Sequence, residues 1–446
     1  MRYHPMSEAD RKDMLGVIGV GSVAELYADA PARMLSIDGF DLPGGKTELE
    51  TERLLGAMAA RNTPASRAPF FLGAGAYRHH IPASVDHLVQ RSEFLTSYTP
   101  YQPEIAQGTL QYLFEFQTQV AALTGMEVAN ASMYDGSTAC AEAVLMAHRL
   151  TKRRKAVLSG GLHPHYAEVV RTVSRMAGEE VATLAPDVFA KEDLVAEIDD
   201  SVSCVVVQTP DFFGNLRDLS ALADACRRHG ALLIGVVTEV VSLGALTPLG
   251  AMGADIVAAE GQSLGNALNF GGPYVGLFAT RQAHLRQMPG RLAGETVDAD
   301  GRRAFVLTLS TREQHIRREK ATSNICTNSG LCALAFTIHL TLLGERGLRR
   351  LARVNHANAV SLADRLARLA NVEVLNATFF NEFTLRVRGD AARIVEEMAA
   401  RGVLGGVPVS RLLPNAGLDD LLLVASAETN TDEDRAALAA ALEGAH

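Results

Sequence analysis

Five short apolar runs recur through the middle of this chain: KAVLSG (155–160), CVVVQTP (204–210), ALLIGVV (231–237), ADIVAAEG (254–261) and YVGLFAT (274–280). None alternates apolar with polar residues as a half-exposed strand would, so each reads as a strand covered on both faces. Helical patterns lie between several of them, DLSALADACRRHG (218–230) among them. Buried strands separated by amphipathic helices make an α/β fold around a mostly parallel sheet. Upstream, GTLQYLFEFQTQVAALTG reads as a helix stopped at Gly125, and a second helix runs from near Ser137 to about Leu150. After about residue 326 the pattern changes. Two long helical patterns, LCALAFTIHLTLLGERG and LARVNHANAVSLADRLARLA, precede a strand NEFTLRV (381–387), a helix ARIVEEMAARG (392–402), a strand LLLVASAE (421–428) and a last helix TDEDRAALAAALEGA. Asn430-Thr431-Asp432 supplies short polar side chains to cap that helix. Residues 1–65 read as an arm of short helices, with MSEADRKDMLGVIG at helical spacing and turns at Asp38-Gly39 and Pro43-Gly44-Gly45. Such an arm wraps a partner subunit or simply caps the N-terminus. The expected division is therefore arm 1–65, large domain 66–325 and small C-terminal α/β domain 326–446.

The 446 residues are 48% hydrophobic and 21% charged, which suits a globular chain with ample core. With Lys+Arg 42 against Asp+Glu 51, the net charge of −9 argues against nucleic acid or an anionic membrane as partner. No run approaches the roughly 18 apolar residues of a membrane span. MRYHPMSEADRKDM lacks the apolar core of a secretory signal, so a cytoplasmic location is expected. Cys140, Cys204, Cys226, Cys326 and Cys332 are widely spaced and form no CxxC. They read as scattered buried thiols rather than a disulfide frame or a metal site, and no metal is expected.

Three stretches are chemically unusual. In TSYTPYQPE (96–104), Pro100 and Pro103 hold the backbone extended just ahead of a helix. Tyr98, Tyr101, Gln102 and Glu104 then sit on a stiff strap suited to an active-site wall or a narrow passage. A packed loop with locally bonded hydroxyls is the alternative. In YDGSTACAEA (134–143), Gly136, Ser137 and Thr138 open a helix whose amides and dipole could hold an anion, though Ser and Thr are ordinary helix starters and the capping reading is the default. In STREQHIRREKATSNICT (310–327), Arg312 and His315 are three apart, on one face of a helix. That face could meet a carboxylate or phosphate across an interface, or be a solvated surface. His163 and His165 in GGLHPHY follow a strand end, where an imidazole could stack on a planar cofactor or serve as a turn residue. Gly271-Gly272-Pro273 reads as a tight turn. No HExxH, GxSxG, GxGxxG or P-loop pattern is present.

Five segments, TPYQPE (99–104), MEVANASMYDGSTACAEA (126–143), EGQSLGNALNFGGPYVG (260–276), MPGRLAGETVDADG (288–301) and TREQHIRREKATSNICT (311–327), closely resemble the glycine cleavage system P-protein family. The likeness is to its N-terminal half, which many prokaryotes make as a separate α subunit. It implies a fold-type-I pyridoxal-phosphate architecture, a large domain with a mostly parallel seven-stranded-type sheet plus a smaller C-terminal α/β domain. It also implies a reaction: glycine loses its carboxylate as CO2 with pyridoxal phosphate as electron sink, and its aminomethyl group passes to the lipoyl arm of H-protein.

Such an enzyme needs a lysine to hold the cofactor, in fold-type-I proteins on the loop after the strand that here reads ADIVAAEG. The six lysines are Lys12, Lys46, Lys152, Lys155, Lys191 and Lys320, so GQSLGNALNF has none. Gln262, Ser263 and Leu264 occupy the approximate place. Glu239, in VVTEVVSL, falls near where catalytic relatives carry an Asp against the pyridine nitrogen, and could replace that Asp or be a relic of it. The resemblance thus implies a chain without catalytic residues of its own that completes the site of a homologous, lysine-bearing β subunit in an α2β2 assembly. Tyr98, Tyr101, Gln102 and Glu104 would line that site or the lipoyl passage, and Arg312, His315 and Thr322 would make interface or phosphate contacts. Gly136, Ser137, Thr138, His163 and Glu239 would be a vestigial cofactor pocket. A scaffold or regulatory module, or a self-sufficient enzyme using Lys320, are the alternatives.

Overall fold

The computed structural model describes residues 6–34, 41–96 and 98–444, so the expected Asp38-Gly39 turn lies outside the described residues. The chain divides into two compact units, Met1–Thr63 and Pro64–His446. The first holds helices Glu8–Ile18 and Glu48–Ala59, neither of which buries a residue. Their ends are set locally by reciprocal capping boxes, Ser7 with Asp10 and Thr47 with Glu50.

The second unit is built on a seven-stranded sheet. Its strands are β1 (Val128–Ala129), β2 (Lys155–Leu158), β3 (Glu180–Thr183), β4 (Val202–Gln208), β5 (Leu232–Val237), β6 (Ile256–Glu260) and β7 (Gly276–Thr280). They lie in the order β1-β7-β6-β5-β4-β2-β3. The β3-β2-β4-β5-β6 run is parallel, and β7 is antiparallel to both β6 and β1. Alternate residues of the central strands enter opposite cores. Val205, Val207 and Val257 pack with Phe116 and Phe336, whereas Val206, Ile234 and Ala258 pack with Val144 and Met146. Burial on both faces is why these strands read as continuous apolar runs.

All five apolar runs form strands, and the expected helices at Gln107–Thr124, Gly136–Thr151 and Ser220–His229 are present. Gly125 closes the first of these helices in the left-handed conformation. The hairpin β8 (Leu292–Val297) and β9 (Arg303–Thr308) went unread because its outward residues are polar and its core contribution small. The two long helical patterns are one element, Gly330–Leu366, kinked at Gly344 (φ 57°, ψ −177°). Among the described residues it is the one helix long and apolar enough to cross a membrane by composition; its buried face, including Phe336, Leu348 and Leu362, instead packs in the protein core.

Beyond it, β10 (Val372–Val374), β11 (Glu382–Val387), β12 (Val407–Pro408) and β13 (Leu421–Ala425) form an antiparallel sheet ordered β10-β11-β13-β12. Thr431 caps the last helix, Asp432–Glu443, reciprocally with Asp434. Residues near 70 join this sheet region: the Phe71 N–H donates to the Leu404 carbonyl (2.8 Å) and the Ala425 N–H to the Phe71 carbonyl (2.9 Å). The second unit is therefore continuous across residue 326. Cys140, Cys204 and Cys226 are buried as expected, whereas Cys332 is half-buried and Cys326 exposed.

Candidate active site

The proline-stiffened strap is on the surface. Tyr98 is 82% exposed, Tyr101 52% and Ile105 79%, with Gln102 and Glu104 exposed beside them. Tyr98, Tyr101, Gln102 and Ile105, with Thr99, Pro100 and Ala106, line a depression of about 430 Å³; Glu104 lies outside its lining. The strap is anchored from beneath. The buried Arg291 guanidinium donates to the Tyr101 hydroxyl (2.8 Å) and lies 5.1 Å from the centre of its ring. The same guanidinium donates to the Cys326 carbonyl and pairs with the buried Glu313 carboxylate (3.4 Å). The His315 ring meets Tyr101 edge-on at 5.7 Å, and Thr99 and Thr327 hydroxyls are 3.3 Å apart. Two of the unusual stretches, far apart in sequence, thus form one surface.

The 310–327 stretch is not the helix expected. It is three short turns, Ser310–Arg312, Gln314–Arg317 and Arg318–Lys320, so Arg312 and His315 share no helical face. Arg312 is turned inward, where its guanidinium donates to the carbonyls of Met288, Gly290 (3.1 Å) and Leu309 (3.2 Å). It pins the Met288–Gly290 turn instead of facing a partner. Thr322 is half-buried, its N–H on the Arg312 carbonyl (2.9 Å).

The residues expected as a cofactor pocket lie around β6, the Gly136 helix and the segment 73–80, and most of their polar groups bond one another. Asp135 caps the helix: its Oδ1 accepts from Thr138 N (2.9 Å) and Ser137 Oγ (2.6 Å). Gly136 N donates to the Glu260 carboxylate (2.9 Å), which also accepts from Gln262 N (3.0 Å) and Val275 N (3.1 Å). Burial pushes the Glu260 carboxyl up to about 8 against those three donors. Gln262 holds the backbone of Tyr77 on both sides, accepting from its N–H and donating to its carbonyl, each at 3.0 Å. The Tyr77 hydroxyl donates to Glu382 (2.7 Å), which also accepts from Ala74 N (2.6 Å).

Glu239 receives His79 Nε2 (2.9 Å), Asn381 Nδ2 (3.2 Å) and Val241 N (2.9 Å). The other His79 nitrogen, Nδ1, lies 2.9 Å from Glu428, itself held by Asn355 Nδ2 (3.0 Å) and His80 N (2.6 Å). Burial alone would depress the His79 pKa, but the two carboxylates override it and raise it to about 10. Burial likewise opposes ionisation of Glu428, and its bond to His79 more than offsets this, bringing it to about 2. His163 is buried and held neutral, burial lowering it to about 4; its Nε2 meets the Ala74 carbonyl (2.8 Å) and its Nδ1 accepts from His165 N (3.1 Å).

Pyridoxal phosphate needs an amine, an acid for its ring nitrogen and donors for its phosphate. Gln262, Ser263 and Leu264 offer no amine, Glu239 already pairs with His79, and Gly136 N is taken by Glu260. A cleft of about 590 Å³ bordered by Tyr134, Asp135, His163 and Tyr274 remains, yet the residues present do not fit the cofactor. Arg291, His79, Tyr77, Glu382 and Glu428 were missed by sequence reasoning. The run FLGAGAYRHH (71–80) offered a signal, since polar and aromatic residues cluster there directly after glycines.

The family model for the glycine cleavage system P-protein matches residues 1–442. A protein of Methylocella silvestris described as "probable glycine dehydrogenase (decarboxylating) subunit 1" is 74% identical over 445 residues, covering 100% of both chains. A crystal structure of glycine decarboxylase (P-protein) of the glycine cleavage system, in inhibitor-bound form, superposes with a TM-score of 0.93 at 44% identity, covering 99% of each chain. A glutamate decarboxylase of Lactobacillus brevis shares the fold at 14% identity, with a TM-score of 0.69 over 96% of this chain and 98% of that one. The architecture is that of the fold-type-I pyridoxal-phosphate enzymes.

Proposed function

The chain belongs to the glycine cleavage system P-protein family, and from that premise we propose that it is the α subunit of a split glycine-decarboxylating enzyme and inactive alone. A homologous β subunit carries the lysine and the pyridoxal phosphate, and the two assemble as α2β2. The complex decarboxylates glycine in the cytoplasm and passes aminomethyl to the lipoyl arm of H-protein. Pyridoxal phosphate on the partner supplies the electron sink for the lost carboxylate. This chain supplies a wall.

The observation that carries the reading is the contrast between its two polar clusters. Most polar groups of its own pocket bond one another, whereas Tyr98, Tyr101, Gln102 and Glu104 stand outward on a stiff, anchored strap. Phenol hydroxyls orient a small zwitterion without adding a charge that competes with its ammonium or carboxylate. Arg291 fixes the Tyr101 ring and donates to its oxygen, which leaves the phenol proton to point outward as a donor. Thr99 and His315 hold the strap's flanks. Lys320 is exposed on a short turn, which gives the self-sufficient alternative no support.

The test is glycine decarboxylation by the chain reconstituted with its lysine-bearing partner. Loss of one hydrogen bond to a charged substrate group slows turnover about 10- to 100-fold. Tyr101→Phe and Glu104→Gln are expected to fall in that range with assembly intact. Unchanged turnover in both would show that the strap does not reach the reacting glycine; lost assembly with normal turnover per complex would favour a scaffold.

A further inference from the structure

We propose that this chain fills its own cofactor site with a built-in replacement. The Glu260 carboxylate stands where an anion would bind at the N-terminus of the Gly136–Thr151 helix, and the His79 ring stands in for a protonated ring nitrogen against Glu239. A helix N-terminus attracts negative charge through its free amides and its dipole. Here the first amide points at a buried carboxylate of the same chain, and Val275 N and Gln262 N close around it. Ser137 Oγ and Thr138 N of that turn are spent on Asp135, which leaves the Ser137 amide as its remaining donor.

At the other end, His79 is bonded to carboxylates through both ring nitrogens, which requires both to carry protons. A neutral imidazole has a single N–H and would leave one carboxylate facing a lone pair. The ring is 1% exposed, so its charge balances Glu239 as a ligand's would. Gln262, in the approximate place of the missing lysine, ties down the backbone of Tyr77 two residues before His79. The chain therefore needs no cofactor to satisfy this pocket. That holds whether or not Tyr98 and Tyr101 reach a partner's site.

The test uses the full-length chain with millimolar pyridoxal phosphate or inorganic phosphate, read by thermal midpoint and by amide exchange of the peptides spanning Gly136 and Glu260. The wild type is expected to show slow exchange at Gly136 and no response of either readout to either anion. Read at about pH 9, where the wild-type carboxyl of pKa about 8 is ionised, Glu260→Gln removes the charge while keeping the volume, and turns an N–H of its own towards one of the backbone donors. In that variant either anion is expected to raise the midpoint saturably, by roughly 2 °C or more. A wild type stabilised by pyridoxal phosphate, or a folded Glu260→Gln as indifferent as the wild type, would overturn the proposal. Should Glu260→Gln not accumulate, the wild-type exchange decides alone: a Gly136 amide that exchanges rapidly, or slows when phosphate is added, sinks it.

Discussion

His79→Gln tests the buried cation through the pH dependence of stability. His79 takes a pKa of about 10 in the folded chain against an ordinary 6.5. A group whose folded pKa is raised contributes stability that is complete below the unfolded value and drains away as pH climbs to the folded one. Between pH 6.5 and about pH 9.5 the native state holds one proton more than the unfolded chain, at about 1.4 kcal/mol per pH unit. Over three units this amounts to about 4 kcal/mol. Glutamine cannot serve as the cation, and it leaves Glu239 and Glu428 buried without one, a loss of about 3–5 kcal/mol at the acid end of the window.

Other buried carboxyls slope in the same direction. Burial raises Asp211 and Glu382 to about 7 and Glu260 to about 8, so each also withdraws stability as pH rises. His339, lowered to about 4 by burial and by the neighbouring His79 charge, stays neutral throughout this range. The contributions of Asp211, Glu260 and Glu382 do not involve His79, so the difference between wild type and variant reads His79 together with the carboxylates it pairs. In urea titrations the variant is expected to trail by about 3–5 kcal/mol at pH 6.5 and by only about 1 kcal/mol near pH 9.5. A gap that stays constant across the window would show that His79 is not a buried cation. A gap that widens would show that the sign of the argument is wrong.

Arg291→Lys keeps the charge but loses the planar fork that bonds Tyr101 and Cys326 together; the reconstituted complex is expected to lose about tenfold in kcat with KM and assembled mass little changed. A fall in assembled mass instead would make Arg291 an interface support. Gly265→Ala places a Cβ 2.3 Å from the Ala335 carbonyl oxygen at φ +85°, and a loss of about 2 kcal/mol or more should appear in urea melts. Thr431→Ala removes the reciprocal cap of the last helix at about 1 kcal/mol, and Thr431→Ser should restore it.

The sheet was legible because its strands are buried on both faces, which writes an unbroken apolar run into the sequence at β4, β5, β6 and β7. The strap was legible because prolines constrain backbone without needing tertiary partners. The 310–327 stretch misled for the opposite reason. Its charge spacing suits a helix, but the Arg312 guanidinium finds the carbonyls of Met288 and Gly290, and those long-range bonds win over local periodicity. His79, Glu382 and Glu428 carried no local signal. A buried charge is recognisable only beside its partner, and Glu428 lies 349 residues from His79.

A missing lysine by itself removes only the covalent attachment; a pocket with open donors could still bind the aldehyde non-covalently. What closes the pocket is the set of bonds around the gap. Glu260 takes the helix amide, His79 takes Glu239, and Gln262 ties down the Tyr77 backbone. Undoing any one of them leaves a buried polar group unpaired, at about 1–3 kcal/mol for a neutral group and more for a charged one. Cofactor binding would have to meet all of those losses before gaining anything. The outward tyrosines meet no such barrier, because an exposed phenol changes partners at little cost. In this chain, chemistry that depends on bringing in a new molecule can be placed only where the polar groups are not already committed, and the strap at Tyr98–Glu104 meets that condition.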